Sequence, residues 1–349
     1  MFGRAHRETR GVRSLACAVL CCALGGLLGA DARGIEGRKQ SSAASRTAGA
    51  SRDALQQAAF LVQQGRLDEA EKHAELALSN PATRGAAHSV LGAIRFQQQR
   101  LDESARLLQE AIRLEPRLIG AHLTLAEVHI AQGHPEPAVA LFRRALELDP
   151  MNPTARFGLA RSEAEKGNYQ ASLEIARPVL EAFKLFPEGL FVLATNYLKT
   201  KDRHAAVGIV DYWTRSTDIP QAWSIRLARM YAEEGLPSAA IDILERAKPL
   251  APPSYELAFN LGGAYLLNGD AARALASYDD ALRLQPESVE ALRQAAAVAE
   301  QERELERSLS YWMRARQVAP DDPGILLGFG RVCGAIPIAR RPTKCGEGY

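Results

Sequence analysis

An all-α solenoid of stacked antiparallel helix pairs is what the sequence predicts, on three observations. The chain repeats itself every 34 residues from Ser51 to Asp322 without insertion or deletion, and small side chains return at fixed offsets within each repeat. The composition, 47% apolar but only 6% aromatic with Ala and Leu prominent, suits close-packed helices better than a β-sandwich.

Taken in chain order, the first segment is not part of that array. Residues 1–13, MFGRAHRETRGVR, are basic, and SLACAVLCCALGGLLGA (14–30) is an uncharged apolar run that ends at A-D-A, Ala30 to Ala32. This is the layout of a signal peptide over residues 1–32. The run has about 17 residues where a membrane core asks for about 20, so cleavage near Ala32 with export to the periplasm or exterior is expected. An uncleaved anchor through residues 14–30 and a cytoplasmic product with a misassigned start are the alternatives. Residues 33–50, rich in Ser, Gly, Ala and Arg and without periodicity, read as a flexible linker. Cys17, Cys21 and Cys22 fall in the leader, which leaves Cys333 and Cys345 as a possible local bridge in an oxidising compartment.

The body beyond residue 32 carries 39 basic and 39 acidic side chains, so it offers no general attraction to nucleic acid or an anionic membrane. Periods begin at Ser51, Gly85, Ile119, Pro153, Pro187, Gln221, Tyr255 and Val289. Counting each of these as position 1, position 8 is Ala or Gly in all eight (Gly92 and Gly262 are the glycines). Position 20 is Ala, or Ser at Ser104, Ser172 and Ser308. Position 27 is Ala in six of eight, and position 32 is Pro at Pro116, Pro150, Pro252, Pro286 and Pro320.

The seventh period shows why each is a helix pair. Ser254 is a natural N-cap, and Leu257, Ala258, Leu261, Gly262 and Tyr265 share one helical face. Gly269 ends that helix, Asp270 caps the next, and Ala274, Leu275, Tyr278, Ala281 and Leu282 face inward before Pro286 stops it. Small residues at 8 and 20 let two backbones approach. A glycine inside a helix costs about 1 kcal/mol against Ala, so Gly92 and Gly262 imply contacts too tight for a methyl.

A 34-residue helix-turn-helix unit with Leu then Gly or Ala at 7 and 8, Tyr at 11, Ala at 20 and 27 and Pro at 32 resembles the tetratricopeptide repeat. The resemblance covers residues 51–322 and implies a right-handed superhelical solenoid of eight units, with 323–349 supplying a partial ninth and an irregular tail. The fourth and fifth units depart from the pattern, with Pro178 inside the expected second helix and Trp213 at a small position, so a local kink or a change of superhelix pitch is expected around 178–220. Pro337 and Pro342 stand where a ninth second helix would form, and a chain shorter than its relatives is one reading of that tail.

The resemblance also implies a concave groove, lined by the first helices, that binds a peptide or protein segment through positions 2, 5, 9, 12 and 13. Carried onto this sequence, the groove residues are Phe96, Leu123, Glu127, Ile130, Phe157, Arg161, Phe191, Leu198, Ile225, Arg229, Phe259 and Leu266. Two readings of the phenylalanines stand side by side: packing between neighbouring units, or an apolar trough in which Arg161 and Arg229 read acidic groups. Position 5 is not basic in units two to seven, so a clamp for a chaperone's C-terminal carboxylate is not expected.

No catalytic or metal site is expected. His88 and His122 occupy a packing position, His129 and His134 lack an acid or Cys to complete a ligand set, and no phosphate loop, nucleophile elbow or HExxH occurs. The expected protein is therefore a non-catalytic scaffold, without cofactor or small-molecule substrate, whose partner is another protein or peptide and whose membrane contact is limited to an uncleaved leader. Two alternatives remain at this point: the scaffold arm of a larger enzyme, or a cell-envelope component of pilus, secretion or polysaccharide-export assembly.

Overall fold

The computed structural model of the chain describes residues 44–215 and 219–335. The apolar run 14–30, residues 33–43 and the tail beyond Ala335, including Cys345, lie outside the described residues, while Cys333 is buried and disulfide-bonded. Among the described residues every regular element is helical, and no helix is long and apolar enough to cross a membrane.

Two compact units divide between Val192 and Leu193. In the first, α1 (Ala44–Gln63) packs on α2 (Leu67–Leu78), α3 (Arg84–Gln97) on α4 (Leu101–Leu114), and α5 (Ile119–Ala131) on α6 (Pro135–Leu148). There α7 (Pro153–Glu165) is followed by a broken partner: α8 (Tyr169–Ala176), a 3-10 turn Arg177–Val179 and the four-residue α9 (Leu180–Phe183). Helix α10 (Pro187–Lys199) contains the division. In the second unit α11 (Arg203–Arg215) precedes three packed pairs and a final helix. The pairs are α12 (Gln221–Glu233) with α13 (Pro237–Ala247), α14 (Tyr255–Leu267) with α15 (Ala271–Leu284), and α16 (Val289–Gln301) with α17 (Leu305–Val318). The last helix, α18 (Pro323–Ala335), lies against α17.

The helices keep the sequence period. First helices open at Ile119, Pro153, Pro187, Gln221, Tyr255, Val289 and Pro323, each 34 residues after the last. Helix α1 begins earlier than the linker reading allowed, at Ala44, because Ala44, Ala48 and Ala50 carry helix formers straight into the first period. Caps fall where expected: Ser254 Oγ accepts the Leu257 amide proton and Asp270 Oδ1 that of Arg273, each satisfying a first-turn N–H that has no helical acceptor.

Positions 8 and 20 are buried in all eight periods. At Gly92 an added Cβ would lie 2.6 Å from Leu108 Cγ, and at Gly262 it would lie 2.7 Å from Tyr278 Cε1, so the space of the missing methyl belongs to the side chain at position 24. Where position 20 is Ser, its hydroxyl donates to the position 8 carbonyl: Ser104 to Gly92 at 2.7 Å, Ser172 to Ala160 at 2.6 Å and Ser308 to Ala296 at 2.8 Å. This second acceptor role for a helical carbonyl keeps a fully buried hydroxyl satisfied.

One regularity goes beyond the sequence pattern. Position 15, the elbow between the two helices, has positive φ in every period: Gly65, Gly133, Gly167, Gly235 and Gly269, but also Gln99, Lys201 and Arg303 at 62 to 64°. The left-handed elbow is thus imposed by the helix packing and held even where no glycine relieves it.

The expected kink is present at 177–183, where Pro178 lacks the N–H needed to continue α8. Its consequence is a folded-back cluster. Phe183 and Phe186 meet the Phe157 ring edge-on, with centroids 5.4 and 5.0 Å away. Trp213, at its small position, is buried with its Nε1–H donated to Ser224 Oγ at 3.0 Å.

Candidate functional site

The positions assigned to partner contact divide sharply by burial. Phe96, Leu123, Phe157 and Leu198 are 0–4% exposed and belong to the packed core, so their side chains are not presented to a partner; for these four the packing reading replaces the trough. The physical reason is clearest at Phe157, whose ring is enclosed by Phe183 and Phe186 from the segment that Pro178 breaks. Ile130, Phe191, Ile225, Phe259 and Leu266 are half-buried, and Arg229 is exposed.

In the first unit the position 9 residues of successive first helices pair with each other. Arg161 Nη2 lies 3.4 Å from both carboxylate oxygens of Glu127, and its guanidinium sits 5.5 Å from the Phe157 ring centroid. Both partners are largely covered. Arg161 is therefore engaged internally and is not the free reader of acidic groups that the sequence suggested. Nearby Glu188, at position 2 of α10, is 4% exposed, with Oε1 lacking a hydrogen-bond partner among the described residues. Burial pushes its carboxyl above the usual carboxylate range, opposed by its own backbone amide and then by the Arg161 charge.

In the second unit α12 and α14 lie side by side. Ile225 and Arg229 are one turn apart on α12, and Phe259 and Leu266 two turns apart on α14, so each pair occupies one helix stripe. Among the described residues Arg229 has one ion-pair contact, a long one of 4.0 Å to Glu233 on its own helix. Phe259 is held in place by stacking on Tyr255, with centroids 5.6 Å apart, and by Tyr278 at the same distance. Sequence reasoning missed Leu267, at position 13 of α14 and 63% exposed. The signal was present, because position 13 is among those the resemblance assigns to partner contact.

The histidines remain separate: His122 Nε2 lies 3.0 Å from the Pro116 carbonyl, and the rings of His129 and His134 are 6.5 Å apart. Among the described residues no three metal-ligating side chains come together.

A comparison with curated proteins gives no match. Among solved structures, a tetratricopeptide repeat protein from Parabacteroides merdae ATCC 43184 is 17% identical, covering 72% of this chain and 99% of that one, with a TM-score of 0.48. YrrB, described as a TPR protein with an unusual peptide-binding site, is 18% identical over 64% of this chain and 97% of its own, with a TM-score of 0.42. Pseudomonas aeruginosa pilF is 15% identical over 73% and 99%, with a TM-score of 0.37. A family model described as tetratricopeptide repeat matches residues 53–118, 123–184 and 259–323, and a second of the same description matches 95–142. With more than half of its length matched in this way, and with helices paired at a constant 34-residue period, the chain belongs to the tetratricopeptide repeat family.

Proposed function

We propose that the protein is a non-catalytic scaffold outside the cytoplasm that holds a segment of another protein against the first helices of its second unit, α12 and α14. Arrays of this family are binding scaffolds, and the observation that favours this part of the chain is the state of its partner positions. Ile225, Phe259 and Leu266 keep apolar surface open, Leu267 is exposed, and among the described residues Arg229 meets a carboxylate only at the 4.0 Å of Glu233. A partner segment with apolar side chains and an acidic group opposite Arg229 fits this face, and a pre-formed helical surface loses little freedom on binding. The basic start followed by the apolar run 14–30 and A-D-A supports export, with cleavage near Ala32.

The test is photo-crosslinking from residue 259 or 267 with mass-spectrometric identification of the captured protein, repeated with Arg229→Glu. Loss of the specific adduct is expected. An adduct that forms equally in the charge-reversed variant would defeat this assignment of the face. Cell fractionation with N-terminal sequencing tests the compartment, and a cytosolic chain that retains Met1 would overturn the export proposal.

A further inference from the structure

A cavity of about 310 Å³ opens in the second unit, and the described residues that line it include none of Ile225, Arg229, Phe259, Leu266 and Leu267. Its floor is apolar: Leu257, Ala258 and Leu261 of α14, with Leu284 of α15 and Pro253 at the sides. It lies beside the point where α13 stops after 11 residues and Lys248–Leu250 continue as a 3-10 turn, whereas α4, α6, α15 and α17 each run for 14. Pro249 causes the change, since it has no N–H to donate into α13. None of the floor residues stands at positions 2, 5, 9, 12 or 13, so the cavity is independent of the face proposed above.

Among the described residues the charged groups lining the cavity are Lys248, Asp280 and Arg283. Both cations lean on the one carboxylate: Lys248 Nζ is 4.0 Å from Asp280 Oδ2, and Arg283 is paired to the same side chain. Two cations share one acid, both remain more than half exposed, and among the described residues the lining therefore carries one unneutralised positive charge above an apolar floor. The volume falls at the lower end of the roughly 300–1,000 Å³ typical of small-ligand sites. We infer that this cavity binds an apolar group bearing a single carboxylate, with the hydrocarbon on Leu257, Ala258 and Leu261 and the carboxylate replacing part of Asp280's role between Lys248 and Arg283. The same chemistry is offered by a free medium-chain carboxylic acid and by the C-terminal apolar residue of a polypeptide.

The experiment is calorimetric titration of the full chain with octanoate, with octanol, with acetyl-Phe-Leu as the free acid, and with the corresponding amide. One acid form or both should bind at a single site, on the order of tenfold more tightly than its neutral counterpart. Octanoate binding alone identifies a free acid, and peptide-acid binding alone identifies a chain terminus. Lys248→Gln combined with Arg283→Gln, both on the surface, should erase the preference for the acid, and Ala258→Phe should block binding by filling the floor. Absence of binding by both acids, equal binding of the neutral compounds, or binding unchanged in the Gln double variant overturns the inference. Because the double variant alters only exposed side chains, its result decides the matter even where Ala258→Phe fails to fold.

Discussion

Gly262 and Gly263 are adjacent in α14, and the same substitution should act on them with opposite sign. Both lie in a helix interior, where replacement by Ala gains about 1 kcal/mol of helix propensity. At Gly263 the nearest atom to an added Cβ is Tyr278 Oη at 3.8 Å, an ordinary contact, so the gain is kept. At Gly262 the added Cβ would stand 2.7, 2.8 and 3.0 Å from three atoms of the Tyr278 ring. That ring is buried and wedged against Phe259, so it has little room to retreat. Overpacking of this kind costs about 1–3 kcal/mol, which leaves Gly262→Ala near neutral to about 2 kcal/mol destabilising after the propensity gain. The two variants should therefore differ by about 1–3 kcal/mol. Urea denaturation followed by circular dichroism, with hydrogen exchange of the α14 amides to localise the effect, measures that difference. Equal stabilisation by both substitutions would refute the claim that position 8 carries the close approach of the helix pair.

Other expectations follow from the same geometry. Arg303→Gly and Lys201→Gly should each stabilise by about 1 kcal/mol by relieving the left-handed elbow, whereas Gly269→Ala should cost a similar amount; thermal melts check both signs. Ser308→Ala should cost only about 1 kcal/mol, the worth of one hydrogen bond, but Ser308→Val about 1–3 kcal/mol through overpacking, as read by urea midpoints. Arg161→Glu should destabilise by about 2 kcal/mol or more by setting a carboxylate against Glu127 in a covered site, while Arg229→Glu leaves the melting temperature unchanged. Burial raises the Glu188 pKa in the folded chain, so the stabilising proton is present at acid pH and lost as pH rises through that folded value. Glu188→Gln should then match the native chain near pH 4 and exceed it in stability at pH 8, as pH-dependent denaturation will show.

The repeat frame was legible because each packing role recurs eight times: Ala or Gly at position 8, and Ala or Ser at position 20, could be averaged over the whole array. The cap at Ser254 and the break at Pro178 were legible because their causes are local. The partner face was not, since the burial of Phe157 depends on Phe183 and Phe186, and nothing in a periodic reading places an irregular segment back onto α7. Glycine marks the elbow in five periods, yet Gln99, Lys201 and Arg303 conceal the same torsion, which only the packed pair enforces. Pro249 was in view, but a cavity is a property of what surrounds a turn rather than of the turn itself.

The left-handed residue at position 15 gives the array interchangeable joints. Because packing rather than a particular letter enforces that bend, the turn inside a helix pair accepts Gln, Lys or Arg as well as Gly, and each first helix from Ile119 onward still opens 34 residues after the last. The letter at the turn can then vary while the hinge torsion of every pair stays the same.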